Sequence, residues 1–206
     1  LLADSIVLAT PTFVMADLLD GLVETAVTNQ LRNIPYNPVT TVNVAFNRHE
    51  ITNPFDGFGV VVPASESSKL LAIEGMSTKF PHRAPDDQFV LRAFVGGQNQ
   101  PELASLPAAE LIGLVRLELE QIFDIAAEPK QVQLQRWLPA NREPHGGHLA
   151  MITQIERKLA NGLPQLYLTG AGLRGQGIPD CIRQSRDLAS QLIATLTENK
   201  RLQRDF

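Results

Sequence analysis

The order of apolar and polar positions predicts a β-rich middle flanked by segments that mix helix and strand. The run Ser5–Ala9 is mostly apolar and is typical of a short buried strand. Thr10 and Pro11 end this strand and begin a helix, because proline fits the first helical turn, where its missing N–H is not needed. The pattern then predicts a helix from Phe13 to about Leu31.

Four segments rich in β-branched and alternating apolar residues follow one another in the middle of the chain. They are separated by turn-forming pairs such as Asp56-Gly57 and Gly96-Gly97. Consecutive strands joined by short turns favour antiparallel pairing. The predicted strands are 39–47, 57–62, 69–76 and 88–96.

A helix that covers this sheet is predicted from Pro107 to Ile125. The apolar residues at helical spacing are Leu111, Val115, Leu119 and Ile122, and the glutamates on the other side are Glu110, Glu118 and Glu120. The remaining pattern predicts an α/β (α+β) chain whose mainly antiparallel sheet is covered by helices. Its last elements are a strand at 130–138, a loop at 139–148, a helix at 149–160, a strand at 165–169 and a helix at 180–201.

Composition excludes several classes of function. The 206 residues are 44% hydrophobic and 19% charged with a net charge of −4, as in a folded globular chain of one or two domains. No run is long and apolar enough to suggest a bilayer span. The single cysteine, Cys181, rules out an internal disulfide framework and favours a cytoplasmic protein. An acidic chain without a basic stripe argues against nucleic acid as a partner.

The chain opens Leu1-Leu2-Ala3-Asp4, without an initiating methionine or a signal-peptide pattern. The first residues are those of a strand entered from its middle. We therefore expect a fragment of a longer protein.

The segment Gly170–Gly175 matches G-x-G-x-x-G and follows a predicted strand. A dinucleotide fingerprint also needs a helix that starts within the glycines and a second parallel strand, whereas Pro179 separates these glycines from the last predicted helix. One interpretation is that the loop and the helix start near Asp180 face a negatively charged group. The alternative is that the glycines only turn the chain and Asp180 caps the helix.

Several motifs in order carry a family resemblance. The stretch 54–63 reads P-F-D-G-F-G-V-V-V-P, 79–88 reads K-F-P-H-R-A-P-D-D-Q, and 91–97 reads L-R-A-F-V-G-G. Together they resemble the substrate-domain half of the protoporphyrinogen oxidases, FAD-dependent enzymes of tetrapyrrole biosynthesis in the amine-oxidase-like flavoprotein superfamily.

The two ends of the chain resemble the FAD domain of that family. Ile6–Pro11 is similar to the strand that leaves it, and Gly175–Ile182 to the closing flavin-contact segment. The resemblance implies an FAD-domain strand at 1–12, a substrate-binding segment at 13–136 and a return to the FAD domain at 137–206. The family's dinucleotide fingerprint belongs to an N-terminal half that does not match this chain, so we expect the chain alone to bind FAD poorly.

One motif departs from the family pattern. Trp137, Ala140 and the pair Gly147-His148 match W-x-x-A-x-P-x-Y-x-x-G-H, but Arg142 and Pro144 stand where proline and tyrosine are usual. A role for the aromatic ring at that place is therefore not expected in this chain.

The resemblance implies substrate contacts for Phe94 and Val61, which would hold a tetrapyrrole by stacking and apolar packing. Residues two apart on a strand share a face, so we expect Arg92 beside Phe94 and Gly59 beside Val61. Arg92 could pair with a substrate propionate, or it could be a solvated strand residue. The sequence leaves both open.

For FAD, the resemblance implies contacts by Ala171, Gln176, Gly177 and Ile178, where small residues let the backbone approach a cofactor. A helix start at this place would stabilise the negative charge of a reduced flavin. Tight packing between loop and helix is the alternative. Cys181 is either a thiol with a lowered pKa or a small buried residue. We expect no metal site, because the four histidines have no zinc-like spacing.

The implied activity is oxidation of protoporphyrinogen IX or coproporphyrinogen III to the porphyrin with O2, without a catalytic acid or base from this chain. Other members of the superfamily, such as amine oxidases or carotenoid desaturases, are an alternative, and so is a catalytically incomplete binding fragment. The expected partners are the porphyrinogen, O2 and the N-terminal half of the enzyme. Self-association and loose contact with a membrane surface are left open.

Overall fold

The computed structural model describes residues 2–52, 54–143 and 145–202, with side chains up to residue 197. The departure from the family motif at Pro144 lies outside the described residues. The elements in chain order are β1 (Ile6–Leu8), α1 (Thr12–Leu18), α2 (Thr25–Arg32), β2 (Tyr36–Asn47), β3 (Gly59–Val61), β4 (Leu70–Gly75), α3 (Met76–Lys79), β5 (Gln88–Gly96), α4 (Ala108–Phe123), β6 (Gln131–Arg142), α5 (His148–Gly162), β7 (Leu166–Leu168) and α6 (Ile178–Leu202).

The chain forms two compact units. Unit 1 contains residues 1–35 and 142–206, and unit 2 contains Tyr36–Asn141. Boundaries at 12/13 and 136/137 were expected from the family resemblance. In the compact units, helices α1 and α2 belong with β1, and nearly all of β6 belongs with the central sheet.

Unit 2 is built on a five-stranded sheet in the order β3-β4-β5-β2-β6. The pairs β3/β4, β4/β5 and β2/β5 are antiparallel, which confirms the predicted architecture. Alternation along the strands sends one set of side chains to each face. The sheet therefore has two faces of different character.

One face of this sheet is sealed by helix α4, as the helical pattern predicted. Leu111, Val115 and Leu119 of α4 are fully buried, whereas Ile122, predicted on the same side, is 38% exposed near the end of the helix. Glu118, predicted on the polar side, is instead nearly buried, because its carboxylate accepts hydrogen bonds from Ser68 and Lys69. The three buried apolar residues of α4 pack with alternate residues of the strands in a single hydrophobic core. The strand residues of this core are Val42, Val44, Phe46, Leu70, Ile73, Phe89, Leu91, Ala93 and Val95.

The helix predicted from Phe13 to Leu31 is wrong as a single element. The structure breaks it into α1 and α2, because Gly21 adopts a φ of +73° at the turn between them. Leu18 and Leu22 continue the helical spacing across the break, but both are exposed. The helical spacing of apolar residues therefore continued through the turn, and the sequence pattern showed no sign of the break.

The loop predicted at 139–148 is also wrong in its first part, because β6 continues to Arg142. Pro139 lies inside β6, which is an edge strand of the sheet. A proline removes a donor from the ladder, and at an edge this costs little. Pro139, which indicated a loop in the sequence, is therefore tolerated within this edge strand.

Unit 1 contains a two-stranded parallel sheet of β1 and β7, with Ile6 paired to Leu166 and Leu8 to Leu168. The strand predicted at the start of the chain is present as β1, but the prediction that it is buried is wrong, since Ile6 and Val7 are exposed in a sheet of only two strands. Helix α1 packs on α2, and α2 packs on α5. Met15, Leu31 and Ile152 are among its fully buried side chains. No helix within the described residues has the length and apolar content needed to cross a bilayer.

Helix α6 begins at Ile178, two residues before the predicted start. Pro179 is therefore inside the first turn rather than between the glycines and the helix, as a proline in a first turn can be. Asp180 is correspondingly a first-turn residue and not the residue that precedes the helix. Its carboxylate pairs with Arg183 at 2.6 Å.

We predict that Gly96→Ala destabilises unit 2 by about 1–3 kcal/mol. Gly96 has a φ of +108°, and a Cβ there would lie 2.7 Å from the Ala104 Cβ and 2.8 Å from the Pro38 carbonyl oxygen. Urea unfolding followed by the fluorescence of Trp137, the single tryptophan, measures this loss.

Gly113→Ala is the matched control, because nothing lies within 4 Å of a Cβ at this position of α4. Alanine is the better helix former, so we expect stabilisation of up to about 1 kcal/mol. An unchanged urea midpoint for Gly96→Ala would contradict the close approach described here.

Candidate functional site

The face of the unit 2 sheet opposite α4 carries the residues predicted to bind substrate. Strand register places Val61 opposite Ala72 and Ala72 opposite Phe94. The next row runs from Gly59 through Glu74 to Arg92. Arg92 thus lies beside Phe94, and Gly59 beside Val61, on the face that we call the open face.

An apolar concavity of about 460 Å³ lies on this open face. Val61 is 80% exposed and Phe58 69% exposed, although both are large apolar side chains. An exposed apolar patch of this kind is typical of a surface that a ligand or another part of a protein covers. Strands β3, β4 and β5 supply most of the lining of the concavity, and β2, α3, β6 and the residue before β3 complete it. The lining includes Val39, Phe58, Gly59, Val61, Leu71, Ala72, Glu74, Lys79 and Phe94.

Arg92 is tied into a polar row at the edge of this concavity. Its Nε donates to Asn43 Oδ1 at 2.8 Å, and its guanidinium lies 3.6 Å from Glu74. Glu74 also accepts from Lys79 Nζ at 2.6 Å. Arg92 is therefore neither a freely solvated side chain nor one committed to a single acidic partner.

Two glycines of the motifs that carry the family resemblance are required by the local backbone geometry. A Cβ on Gly59 would lie 2.8 Å from the Ile73 carbonyl oxygen of the neighbouring strand, so this glycine permits close pairing of β3 and β4. Gly97 has a φ of +74°, and a Cβ there would meet Leu71 at 2.9 Å. A larger residue at either position would therefore displace part of β4, the backbone at Ile73 or the side chain of Leu71.

Phe58, Leu71 and Lys79 line the concavity but were not predicted from the sequence. Phe58 stands between two glycines and outside the apolar alternation, which is a signal that could have indicated it. Leu71 lies in an irregularity of register between Leu70 and Ala72. Period-two patterning assumes a regular strand, so it could not place this residue.

In unit 1, two side chains hold the loop of residues 170–177. His148 belongs to α5, and Arg174 belongs to the loop itself. His148 Nε2 lies 2.6 Å from the Leu173 carbonyl oxygen, which can accept from it. Arg174 donates to Glu156 of α5 at 3.2 Å and 2.5 Å. Both contacts fix the loop against α5.

The residues predicted to contact FAD lie together around this loop. Ala171, Gln176, Gly177 and Ile178 are all exposed. The Gln176 amide donates to the Arg142 carbonyl, so its side chain is already engaged. The groups that these residues expose are therefore mainly backbone N–H and C=O groups and the side chain of Ile178.

Gly175 and Gly177 differ in what a side chain would meet. A Cβ on Gly175 would lie 2.6 Å from the Asp180 Cβ, so this glycine serves packing between loop and helix. A Cβ on Gly177 would make only ordinary contacts, at 3.5 Å and beyond. Packing within unit 1 therefore does not require a glycine at 177, and the surface at Gly177 and Ile178 is open to solvent.

Cys181 is half-buried, and its Sγ lies 3.9 Å from the Gly175 carbonyl oxygen. Within the described residues, no group of three or more His, Cys, Asp or Glu side chains is placed to hold a metal ion. Unit 2 thus offers an exposed apolar concavity, and unit 1 offers an exposed loop at the start of α6.

His148 is 5% exposed, and its Nδ1 is buried without a hydrogen-bond partner. Burial lowers the pKa of His148 below its ordinary value of 6.5, and the positive charges of Arg142 and His145 act in the same direction. The hydrogen bond to the Leu173 carbonyl opposes this shift without reversing it. The imidazole that holds the loop is therefore neutral at pH 7.

Comparison with protein families gives a match to the flavin-containing amine oxidoreductases over residues 1–193. The chain belongs to this family. The flavin of the family agrees with the cofactor expected from the sequence motifs.

Several similar proteins are named as porphyrinogen oxidases. The chain is 29% identical to a coproporphyrinogen III oxidase of Bacillus subtilis over 94% of its own length and 41% of that protein. It is also 29% identical to a mitochondrial protoporphyrinogen oxidase of Nicotiana tabacum, over 84% of this chain and 36% of the relative. The family member described here thus spans about two fifths of the length of the relatives that it matches.

Solved structures agree on the fold. A putative protoporphyrinogen oxidase from Exiguobacterium superposes with a TM-score of 0.79 and 27% identity, over 92% of this chain and 41% of the other. A putrescine oxidase superposes with a TM-score of 0.66 at 15% identity, over 93% and 43%, and shows the fold alone. The resemblance read from the motifs is confirmed.

We predict that acidification below about pH 6.5 destabilises unit 1 through His148. The unfolded histidine takes up a proton near its ordinary pKa, whereas the folded one resists it, so stability is complete above that pH and falls as the pH is lowered. Thermal unfolding followed by circular dichroism between pH 7.5 and 5.5 measures the fall in Tm.

In His148→Asn the fall should be smaller than in the unsubstituted chain. His82→Asn, at an exposed position, is the control and should leave the pH dependence unchanged. An identical pH dependence in His148→Asn and the unsubstituted chain would refute the role of this imidazole.

Proposed function

We propose that this chain is the part of an FAD-dependent porphyrinogen oxidase that binds the porphyrinogen and contacts the isoalloxazine end of the cofactor. The substrate would be protoporphyrinogen IX or coproporphyrinogen III, in tetrapyrrole biosynthesis. The observation that carries the proposal is the exposed apolar concavity on the open face, lined by Phe94 and Val61. The names of the similar oxidases support it.

The open face would hold the macrocycle mainly by apolar contact. Phe94 offers an aromatic ring, and Phe58 a second one across the concavity. A porphyrinogen is a large apolar ring, so burial against these side chains removes extensive apolar surface from water.

The cofactor contacts would come from Ala171, Gln176, Gly177 and Ile178 at the loop and the start of α6. Bound FAD would supply hydride acceptance and reoxidation by O2, with three O2 reduced to three H2O2 for each porphyrinogen converted to porphyrin. The backbone at Gly177 would bring positive helix-end potential toward a flat anionic edge.

No side chain of this chain is assigned a proton transfer. The apolar concavity contains one carboxylate, Glu74, and that group is paired with Lys79 and Arg92. The work of this chain in the reaction would be to bind and orient the macrocycle and to exclude water from it.

The decisive experiment uses the complete protein expressed from its natural reading frame, since the chain spans about two fifths of its relatives. The purified protein is assayed for bound flavin and for porphyrin fluorescence after addition of either porphyrinogen under air. We expect bound FAD and oxidation of at least one porphyrinogen. A flavin-loaded protein that oxidises amines or polyenes and neither porphyrinogen would refute the proposal.

We predict that Phe94→Ala in that protein lowers kcat/KM for the porphyrinogen about tenfold or more, through lost ring contact. Phe94→Leu should retain part of the activity. Leu117→Ala is the matched control, because Leu117 is a large apolar residue, 60% exposed, on α4 of the same unit. Equal losses in the Phe94 and Leu117 variants would show that the concavity is not the binding surface.

A further inference from the structure

A second concavity, of about 330 Å³, lies on the same open face beyond Arg92. Its polar lining differs from that of the apolar concavity. It is formed by the side chains of β2, β5 and β6 together with the segment after α3. The polar residues are Asn43, Arg83, Gln88, Arg92, Gln131 and Gln133.

The charges around this concavity favour an anion. Two arginines line it, and none of its described lining residues is acidic. Arg92 meets Glu74 only at 3.6 Å, and that carboxylate is shared with Lys79 at 2.6 Å. Glu74 is therefore shared between two cations, Lys79 and Arg92, and Arg83 adds a further positive charge to the lining of the polar concavity.

Arg83 is the less committed of the two arginines. Its guanidinium stacks on the ring of Phe80 at 4.3 Å. Among the described residues, no carboxylate forms an ion pair with it. The stacking orients the planar guanidinium and leaves its N–H edge available for a bidentate acceptor.

The two concavities are joined by strand geometry. Arg92 and Phe94 lie two residues apart on the same face of β5, a separation of about 7 Å. Asn43 lies opposite Arg92, and Ala45 opposite Val90, so the polar concavity continues along the sheet away from Phe94. A ring that covers Phe94 therefore has one edge near Arg92.

We propose that the polar concavity binds a carboxylate carried on the edge of the ring that lies over Phe94, with Arg83 and Arg92 as its charged ligands. This inference rests on the proposed function and adds the orientation of the substrate. The amides of Asn43, Gln131 and Gln133 supply neutral hydrogen-bond groups around the same anion. The arginines also repel cationic substrates, so the face disfavours amines.

The test measures binding of porphyrins to the complete, FAD-loaded protein by porphyrin fluorescence. Protoporphyrin IX and coproporphyrin III carry free carboxylates, and protoporphyrin IX dimethyl ester carries none. We expect the free acids to bind about fivefold or more tightly than the ester, since a partly exposed ion pair is worth about that factor.

Arg83→Gln and Arg92→Gln should each weaken binding of the free acids about fivefold and leave binding of the ester unchanged. Arg116→Gln is the matched control, because Arg116 lies on α4 and pairs with Glu128. Glu74→Gln should tighten binding of the free acids only, because it releases Arg92 from its acidic neighbour.

The inference would be overturned if acid and ester bound equally and neither arginine variant discriminated between them. The proposed function would still stand in that case, because the ring itself would bind. Failure of all three porphyrins to bind the flavin-loaded protein would instead refute the proposed function. Flavin content and circular dichroism of each variant establish that it is folded.

Discussion

The central constraint in this molecule is that the unit 2 sheet buries only one of its faces. The apolar side chains of α4 and of alternate strand residues form one continuous core, which supplies most of the hydrophobic stabilisation of the unit. Glu118 helps to hold the helix in place. Its carboxylate is nearly buried, and it accepts from the Ser68 hydroxyl at 2.5 Å and from the Lys69 N–H at 2.9 Å.

Because stability is provided on the α4 side, the residues of the open face do not have to serve packing. Large apolar side chains such as Val61 and Phe58 can stay exposed there, and charged side chains can stand beside them. Exposure of this kind is costly in water unless a ligand covers it. The division into an apolar concavity and a cationic one follows from which residues the alternation assigns to that face.

Much of unit 2 was predictable from the sequence because its signals are local. The four central strands and α4 appear in the structure with bounds close to those predicted, since period-two and helical alternation report directly which side is buried. The pairing of Phe94 with Arg92 and of Val61 with Gly59 on one face followed from the same rule. The glycine positions were also informative, through the motifs that carried the family resemblance.

The remaining features depend on contacts that no local pattern encodes. The place of Leu71 results from an irregularity of register, and the place of Arg83 results from the turn after α3. The break between α1 and α2 was concealed because exposed leucines continued the helical period. Pro139 suggested a loop, but the edge position of β6 made it harmless, and edge positions are known only once the sheet is assembled.

The parallel pairing of β1 with β7 has a consequence for the order of folding. Unit 1 is discontinuous, and unit 2 is inserted within it. Joining Ile6 to Leu166 closes a chain segment of about 160 residues, an entropic cost that falls sharply once the intervening chain is compact. Unit 2 can complete its sheet during synthesis, and its two ends then emerge together where the Glu143 N–H donates to the Pro35 carbonyl at 2.8 Å. Compaction of the inserted unit is thus sufficient to bring the two segments of unit 1 close to each other along the chain.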